Sequence, residues 1–132
     1  MDETSKQQRT LGILGGTGPE GVGLAARFAM ASERILIGSR DLTRANAAAE
    51  QISNLVPGAL VSGASNRDVA FEADLVIVAV PYVGHADTLG SLSYELVSKI
   101  VVDVVSPLAF SMGRARALEV AEGSVALQAH AL

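Results

Sequence analysis

A cluster of glycines between a predicted strand and a predicted helix constrains the fold of this chain more than any other feature. Residues 11–14 form a short apolar run, and residues 15–21 read GGTGPEG. Small apolar residues then recur at helical spacing after this cluster. Gly16, Gly18 and Gly21 fit the pattern G-x-G-x-x-G, which on its own is only weakly informative. Because the pattern follows a strand and opens a helix here, it predicts a turn that binds the pyrophosphate of a dinucleotide.

Each glycine of the pattern has a distinct predicted role. Gly16 permits a tight turn, Gly18 lets the backbone approach a pyrophosphate, and Gly21 lets the helix lie close to the strand. Pro19 suits the first helical turn because its φ angle is fixed and it lacks an N–H group. The free N–H groups at the start of the helix would then face the anion at the positive end of the helix dipole.

Predicted strands and helices alternate along the chain. The predicted strands are residues 11–14, 34–38, 60–62, 75–80 and 100–105, and the predicted helices are residues 19–30, 42–52, 68–72 and 85–92. Some strands are apolar throughout and hydrophobic residues make up 49% of the chain, which favours a parallel sheet with helices on both faces. We therefore expect a single-domain α/β fold, a Rossmann-type doubly wound parallel sheet with strand order 3-2-1-4-5.

The two ends of the chain are assigned from composition. Residues 1–9 are polar and are predicted to form a flexible tail, which leaves residues 10–132 as the domain. The segment 114–132 has a mostly helical composition with a break at Gly123, after which Ser124 is predicted to cap a last helix. Asp41 is predicted to cap the second helix in the same way.

Charge and residue usage exclude several function classes. The formal net charge of −4 gives no support to nucleic-acid binding, and no apolar run reaches the ~20 residues that a membrane span needs. The chain has no cysteine, so it has no disulfide, thiolate metal site or catalytic thiol. Its two histidines are far apart in the sequence, which argues against a zinc site. We expect a cytoplasmic protein with small-molecule partners, no nucleic acid and no membrane.

The residues that follow the second predicted strand indicate which dinucleotide is bound. NAD-binding relatives of this fold place an acidic residue ~20 residues after the glycines, where it binds the ribose 2′-hydroxyl. Here that region ends in Ser39 and Arg40, and no carboxylate precedes Asp41. Arg44 lies one helical turn after Arg40. A hydroxyl and two guanidinium groups suit a 2′-phosphate, so the sequence predicts NADP rather than NAD.

Four segments together resemble the N-terminal domain of NADPH-dependent coenzyme F420 reductases, also called deazaflavin-dependent NADP oxidoreductases. They are LGILGGTGPEGVGLAARFA (residues 11–29), IGSR (37–40), ADLVIVAVP (73–81) and KIVVDVVSPL (99–108). The resemblance covers nearly the whole chain, and GGTG with GSR is its most specific part. Related domains open pyrroline-5-carboxylate reductases and similar dehydrogenases.

The resemblance implies a set of cofactor-binding residues. It implies that Gly16, Thr17, Gly18, Pro19 and Glu20 lie along the pyrophosphate, and that Ser39, Arg40 and Arg44 bind the 2′-phosphate. It also implies that Val80, Pro81 and Ser106, at the carboxyl ends of the fourth and fifth strands, line the nicotinamide pocket. No side chain is assigned a catalytic role, because a hydride passes directly between the two rings in this chemistry.

The resemblance implies an oxidoreductase that transfers a hydride between NADPH and the deazaflavin coenzyme F420, its second substrate. A homodimer is a separate expectation, because an apolar face left bare by the missing strand favours self-association. The family's chains continue beyond the point that corresponds to Leu132, so we expect a domain truncated at its C-terminus or a shortened relative. Two alternatives stay open. The first alternative is a non-catalytic NADP-binding module. The second is the cofactor domain of another NADPH-dependent reductase, with an imine or carbonyl substrate.

Two ionisable residues outside this set carry open interpretations. His85 is predicted either to reach the edge of the nicotinamide or to lie exposed at the start of a helix. Asp103 lies within an apolar strand, and because a buried carboxylate needs partners, a structural hydrogen-bonding role is favoured for it. Asp74 is predicted to be a cap or turn residue, Tyr82 to cover a strand end, and His130 to be solvated.

Overall fold

The computed structural model describes residues 8–132 and has the alternation of strands and helices that the sequence predicts. The strands are β1 (Thr10–Leu14), β2 (Arg34–Ser39), β3 (Val61–Ser65), β4 (Leu75–Val78), β5 (Ile100–Asp103), β6 (Leu108–Ser111) and β7 (Arg114–Ala117). The helices are α1 (Pro19–Met30), α2 (Leu42–Leu55), α3 (Asn66–Glu72), α4 (His85–Ser91) and α5 (Val125–His130). Residues 1–7 of the predicted tail lie outside the described residues, so the boundary of the tail stays a prediction.

The first five strands form one parallel sheet in the order β3-β2-β1-β4-β5. In the register of the central strand, Thr10 lies opposite Arg34 of β2, and Leu11 lies opposite Leu75 of β4. The predicted fold class and strand order are therefore confirmed. Because all five strands run in the same direction, their carboxyl ends meet along one edge, with the end of β1 at its centre.

Alternating side chains of β1 divide the core into two layers. Leu11 and Ile13 pack in one cluster with residues of α1 and α2, including the fully buried Ile52. Leu14 points to the opposite face and packs in a second cluster with residues of α3 and α4, including Val69. Since successive side chains of a strand point to opposite faces, an apolar strand of this kind needs helices on both sides of the sheet.

Two glycines allow helices to lie directly against the strands. A Cβ atom added to Gly12 of β1 would lie 2.5 Å from Cγ1 of Val69 in α3. A Cβ atom added to Gly63 of β3 would lie 2.5 Å from the carbonyl carbon of Ala45 in α2. Neither distance is compatible with a side chain, so the close packing of α2 and α3 depends on these two residues.

The prediction of a mostly helical C-terminal segment is wrong for its first part. β7 pairs antiparallel with β6, and Phe110 lies opposite Ala115 in this two-stranded hairpin. The connecting residues Met112 and Gly113 both have positive φ angles, of 49° and 71°. Positive φ at both central positions is the geometry of a tight hairpin turn, which overrides the helix propensity of the alanines and arginines that follow. Ser124 caps α5 as predicted, since its Oγ accepts the N–H of Leu127.

The edge strand β5 differs from the expectation that both faces of every strand are covered. Ile100, Val101 and Val102 are 65%, 36% and 41% exposed. Apolar exposure at this edge contrasts with the buried central strand β1, whose Ile13 and Leu14 are fully covered. No helix within residues 8–132 is long and apolar enough to cross a membrane.

Candidate functional site

The turn between β1 and α1 is built at the centre of the carboxyl edge of the sheet. Gly15 has a φ angle of +64°, which favours glycine, and the N–H of Gly16 donates to the carbonyl oxygen of Gly38 at 3.0 Å. A Cβ atom added to Gly21 would lie 2.6 Å from the Cα atom of Gly16. The turn thus lies against the end of β2 on one side and against the first turn of α1 on the other.

The outer side of this turn is open. Gly18 is the N-cap residue of α1 and has extended backbone angles, with φ −79° and ψ 170°. No side chain caps the helix, and a Cβ atom added to Gly18 would have no atom within 4 Å. The first N–H groups of α1 therefore have no acceptor within the helix and no side-chain cap. Pro19 and Glu20 are exposed in the first turn of α1, while Thr17 is half-buried.

The end of β2 carries one buried hydroxyl and one exposed cation. Ser39 is 7% exposed, and its Oγ accepts the N–H of Asp41 at 3.1 Å. Arg40 is exposed, as is Arg44 in the first turn of α2. Within residues 8–132, neither arginine forms a salt bridge. Both guanidinium groups are therefore free of carboxylate partners in this part of the chain.

The carboxylate of Asp41 is engaged in capping α2. Its Oδ1 accepts the N–H of Thr43 at 2.9 Å and the N–H of Arg44 at 3.4 Å. These bonds satisfy two of the N–H groups that lack partners at the start of a helix, so the predicted capping role is confirmed. The only acidic side chain near the end of β2 in the sequence thus points into the helix start.

Asn66 is part of this region and was not identified from the sequence. It opens α3, and its Oδ1 accepts the N–H of Gly15 at 3.2 Å. A Cβ atom added to Gly38 would lie 2.6 Å from the same Oδ1. The amide therefore lies between the glycine turn and the end of β2. Because its partner is 51 residues away along the chain, no local pattern signals this contact.

The segment after β4 adjoins the glycine turn from the other side. The N–H of Ala79 donates to the carbonyl oxygen of Leu14 at 3.0 Å. Val80 is buried, and a Cβ atom added to Gly15 would lie 2.7 Å from its Cγ1. Pro81 follows and is exposed. Ser106, after β5, is also exposed.

His85 and Asp103 form a buried pair next to these two segments. Their side chains are 0% and 3% exposed, and Nε2 of His85 lies 2.6 Å from Oδ2 of Asp103. Oδ1 of Asp103 also accepts the N–H of Val105 at 3.0 Å. The interpretation of His85 as an exposed residue is therefore wrong, because the strand order brings a buried carboxylate beside it. The favoured hydrogen-bonding role of Asp103 is confirmed.

The remaining side chains considered from the sequence have ordinary surroundings. Oδ2 of Asp74 accepts the N–H of Thr10 at 2.8 Å, which fits a turn residue. The ring of Tyr82 lies 6.3 Å from that of His85, centroid to centroid, with 28° between the planes. His130 is exposed at the end of α5.

The cofactor-binding residues predicted from the sequence lie along an open edge and not in an enclosed cavity. A cavity of about 450 Å³ lies between α4, β5 and α5, and none of these residues lines it. Within the described part of the chain, no group of acidic, histidine or cysteine side chains has the arrangement of a metal site. The edge thus offers backbone N–H groups, a hydroxyl and two guanidinium groups to a ligand.

Comparison with protein families matches residues 10–107 to the family described as coenzyme F420-dependent NADP oxidoreductase. A curated relative, the F420-dependent NADP reductase of Methanothermobacter thermautotrophicus, is 37% identical over 123 residues, which cover 90% of this chain and 53% of the relative. The chain spans about half the length of the curated relatives it matches.

Solved structures give the same picture. A crystal structure from Arthrobacter sp. FB24, assigned as an F420-dependent NADP reductase, superposes with a TM-score of 0.67 at 30% identity and covers 91% of this chain and 55% of that one. The lactate dehydrogenase of Cryptosporidium parvum superposes with a TM-score of 0.66 at 15% identity, covering 77% of this chain and 38% of that one. The second match reflects the fold alone.

Proposed function

The chain belongs to the coenzyme F420-dependent NADP oxidoreductase family, and from this premise we propose that it binds NADP(H) across the carboxyl edge of its sheet. In this proposal the pyrophosphate lies over Gly18, the adenosine 2′-phosphate lies beside Arg40, and the nicotinamide lies beside Val80 and Ser106. The three sites follow the carboxyl ends of β1, β2, β4 and β5, where ligands bind in open α/β sheets.

The preference for NADP over NAD is proposed chiefly because the carboxylate of Asp41 caps α2. An NAD-binding site of this fold needs an acidic side chain that is free to accept a hydrogen bond from the ribose 2′-hydroxyl. Asp41 instead accepts the N–H groups of Thr43 and Arg44, while Arg40 is exposed and free of salt bridges within residues 8–132. A planar guanidinium group with several donors suits a phosphate. The hydroxyl group of Ser39 can still donate its proton to a phosphate oxygen, because in its bond with the N–H of Asp41 the serine oxygen is the acceptor.

The open turn supports the pyrophosphate position. Nothing lies within 4 Å of the place where a side chain of Gly18 would begin, so a phosphate oxygen can approach the backbone there. The uncapped N–H groups of α1 supply donors, and the dipole of its 12 residues favours negative charge at this end. Glu20 is exposed in this first turn.

We further propose that the whole protein is an oxidoreductase that exchanges a hydride between NADPH and a deazaflavin coenzyme. When bound, NADPH supplies the hydride at its nicotinamide ring. The contribution of this chain is then to bind the dinucleotide and to hold the ring against the segments after β4 and β5, so that proximity and orientation lower the barrier. The similarity to curated F420-dependent NADP reductases supports this reaction.

The cofactor proposal is tested by exchanging the charge at Arg40. Hydrogen bonds to a charged group contribute ~1.5–3 kcal/mol, and since Arg40 is exposed we expect the lower end, roughly a tenfold preference for NADPH over NADH. Arg40→Asp is therefore expected to raise the dissociation constant of NADPH at least tenfold, and that of NADH much less. Isothermal titration calorimetry with both cofactors measures this difference.

Arg34→Asp is the matched control. Arg34 opens β2 and is exposed, so this variant makes the same change of charge at the opposite end of the strand. We expect it to bind NADPH nearly as the unmodified chain does. Equal losses for NADPH and NADH in Arg40→Asp, or equal losses of NADPH in both variants, would contradict the assignment of Arg40 to the 2′-phosphate.

A non-catalytic NADP-binding module is the alternative, and a turnover measurement separates it from an oxidoreductase. The chain is incubated with NADPH and the oxidised deazaflavin coenzyme, and absorbance follows both cofactors. Conversion of both at a rate that rises with protein concentration supports the oxidoreductase. Binding of NADPH without conversion of the deazaflavin contradicts the proposed reaction and leaves the module or a reductase of another substrate.

A further inference from the structure

The buried pair His85–Asp103 joins two loops that the cofactor proposal uses separately. His85 begins α4, directly after the segment that carries Val80 and Pro81. Asp103 ends β5 and holds the N–H of Val105, the residue before Ser106. The 2.6 Å contact between Nε2 and Oδ2 is thus a direct bond between the β4–α4 loop and the β5–β6 loop.

The pair is held rigidly at both ends. The N–H of His85 donates to the carbonyl oxygen of Tyr82 at 3.1 Å, which closes a turn around Gly84 with its φ angle of 93°. Asp103 has one carboxylate oxygen for His85 and the other for the N–H of Val105. Both side chains are buried, and Asp103 also lines the cavity between α4, β5 and α5.

Burying this pair between the loops costs free energy of folding. Desolvation of a carboxylate is costly, and well-packed apolar residues often replace buried charged or polar pairs without loss of stability. Nδ1 of His85 is also buried and has no hydrogen-bond partner among the described residues, which adds a further cost. Packing alone therefore does not explain a histidine and an aspartate at these positions.

We propose that the His85–Asp103 bond is a positioning device for the nicotinamide half of the cofactor. It holds the backbone after β4 and the backbone after β5 at a constant separation, and the nicotinamide ring lies between them. This inference rests on the proposed binding of NADP(H). The adenosine half binds at Gly18 and Arg40, which lie after β1 and β2 and are not connected by this bond.

The test compares two ligands that differ only in the nicotinamide. One is NADPH, and the other is 2′-phospho-ADP-ribose, which keeps the adenine, both riboses, the pyrophosphate and the 2′-phosphate. His85→Leu removes the nitrogen that bonds Asp103, His85→Gln keeps a side-chain amide close to the place of Nε2, and Asp103→Ala removes the carboxylate that bonds both His85 and the N–H of Val105. His130→Leu is the comparison at the second histidine, which is exposed on α5 and, like Asp103, lines the cavity between α4, β5 and α5; it therefore shows whether that cavity itself affects either ligand. Calorimetry gives each dissociation constant, and thermal unfolding gives the folded fraction of each variant.

We expect His85→Leu to weaken NADPH about tenfold and 2′-phospho-ADP-ribose less than about twofold. His85→Gln is expected to recover most of the NADPH affinity, and His130→Leu to change neither ligand. If His85→Leu does not fold, the selective loss is expected in Asp103→Ala instead, which removes the same bond from the other side. Equal losses for both ligands, or no loss in any folded variant, would overturn the positioning role while leaving the proposed function intact. An unmodified chain that binds neither ligand would overturn the proposed function, and this inference with it.

Discussion

Gly18→Ala separates cofactor binding from stability more cleanly than any other substitution in this chain. The backbone of Gly18 has φ −79° and ψ 170°, which alanine adopts without strain, and the added methyl group meets no atom within 4 Å. A glycine-to-alanine change at a compatible position gains about 0.4–1 kcal/mol from the unfolded state. Alanine is a poorer N-cap than glycine by about 0.5–1 kcal/mol. The two terms nearly cancel, so the free energy of unfolding is expected to change little.

The same methyl group occupies the space proposed for the pyrophosphate. Forcing an extra methyl group into a filled site costs about 1–3 kcal/mol, which corresponds to a loss of NADPH affinity of roughly 5- to 150-fold. Gly18→Ala is thus expected to unfold at the same temperature as the unmodified chain and to bind NADPH at least five times more weakly. Thermal unfolding without ligand and calorimetric titration with NADPH measure the two quantities.

Two further glycines of α1 provide comparisons for this variant. Gly23 lies within α1, where an added Cβ atom meets only the guanidinium of Arg27 at 3.5 Å. Gly23→Ala is expected to stabilise the chain by up to about 1 kcal/mol and to leave NADPH binding unchanged. Gly21→Ala, with its 2.6 Å contact to Gly16, is expected to lower both stability and affinity. NADPH affinity of Gly18→Ala equal to that of the unmodified chain would refute the reasoning, because no phosphate could then lie over Gly18.

Three other substitutions test the surroundings of the site. Asp41→Ala removes two hydrogen bonds at the start of α2 and is expected to lower the free energy of unfolding, measured in urea, by about 1 kcal/mol. Gly63→Ala brings a Cβ atom within 2.5 Å of the backbone of Ala45 and is expected to cost about 1–3 kcal/mol in the same assay; a neutral result would show that α2 can move away from β3. Asn66→Asp keeps an acceptor for the N–H of Gly15 and adds a negative charge beside the turn, so it is expected to fold normally and bind NADPH more weakly, by a factor that shrinks at high salt. Salt-independent loss in calorimetry would contradict the electrostatic explanation.

The fold was predictable because its signals are local and mutually consistent. Each apolar strand, the glycine turn and the cap at Asp41 is signalled by a few consecutive residues. Right-handed crossovers then leave few possible strand orders. The hairpin of β6 and β7 was not predicted, because its local sequence signal favours a different structure. Its flanking alanines and arginines favour a helix, while the turn signal rests on Met112 and Gly113 alone.

A local sequence pattern can propose cofactor-binding residues only where those residues are close in sequence. The glycine turn and Arg40 belong to one βαβ unit, so a spacing rule identifies them. Asn66 and His85 depend on partners that are 51 and 18 residues away, Gly15 and Asp103. Nothing in a local pattern distinguishes a histidine at an exposed helix start from one buried against a carboxylate. That distinction required the position of β5 next to β4.

The proposed preference for NADP depends on where the first acidic residue after β2 lies in the sequence. An acidic residue at the end of the strand would face the ribose, whereas Asp41 lies far enough along the chain to become the N-cap of α2. Its carboxylate then turns back to the N–H groups of the helix, which leaves Arg40 as the side chain that we propose to lie beside the ribose. The capping bonds also stabilise the start of α2, which carries Arg44 in its first turn. The same aspartate that would suggest NAD in a spacing count therefore helps to build a site with two cations, suited to a 2′-phosphate.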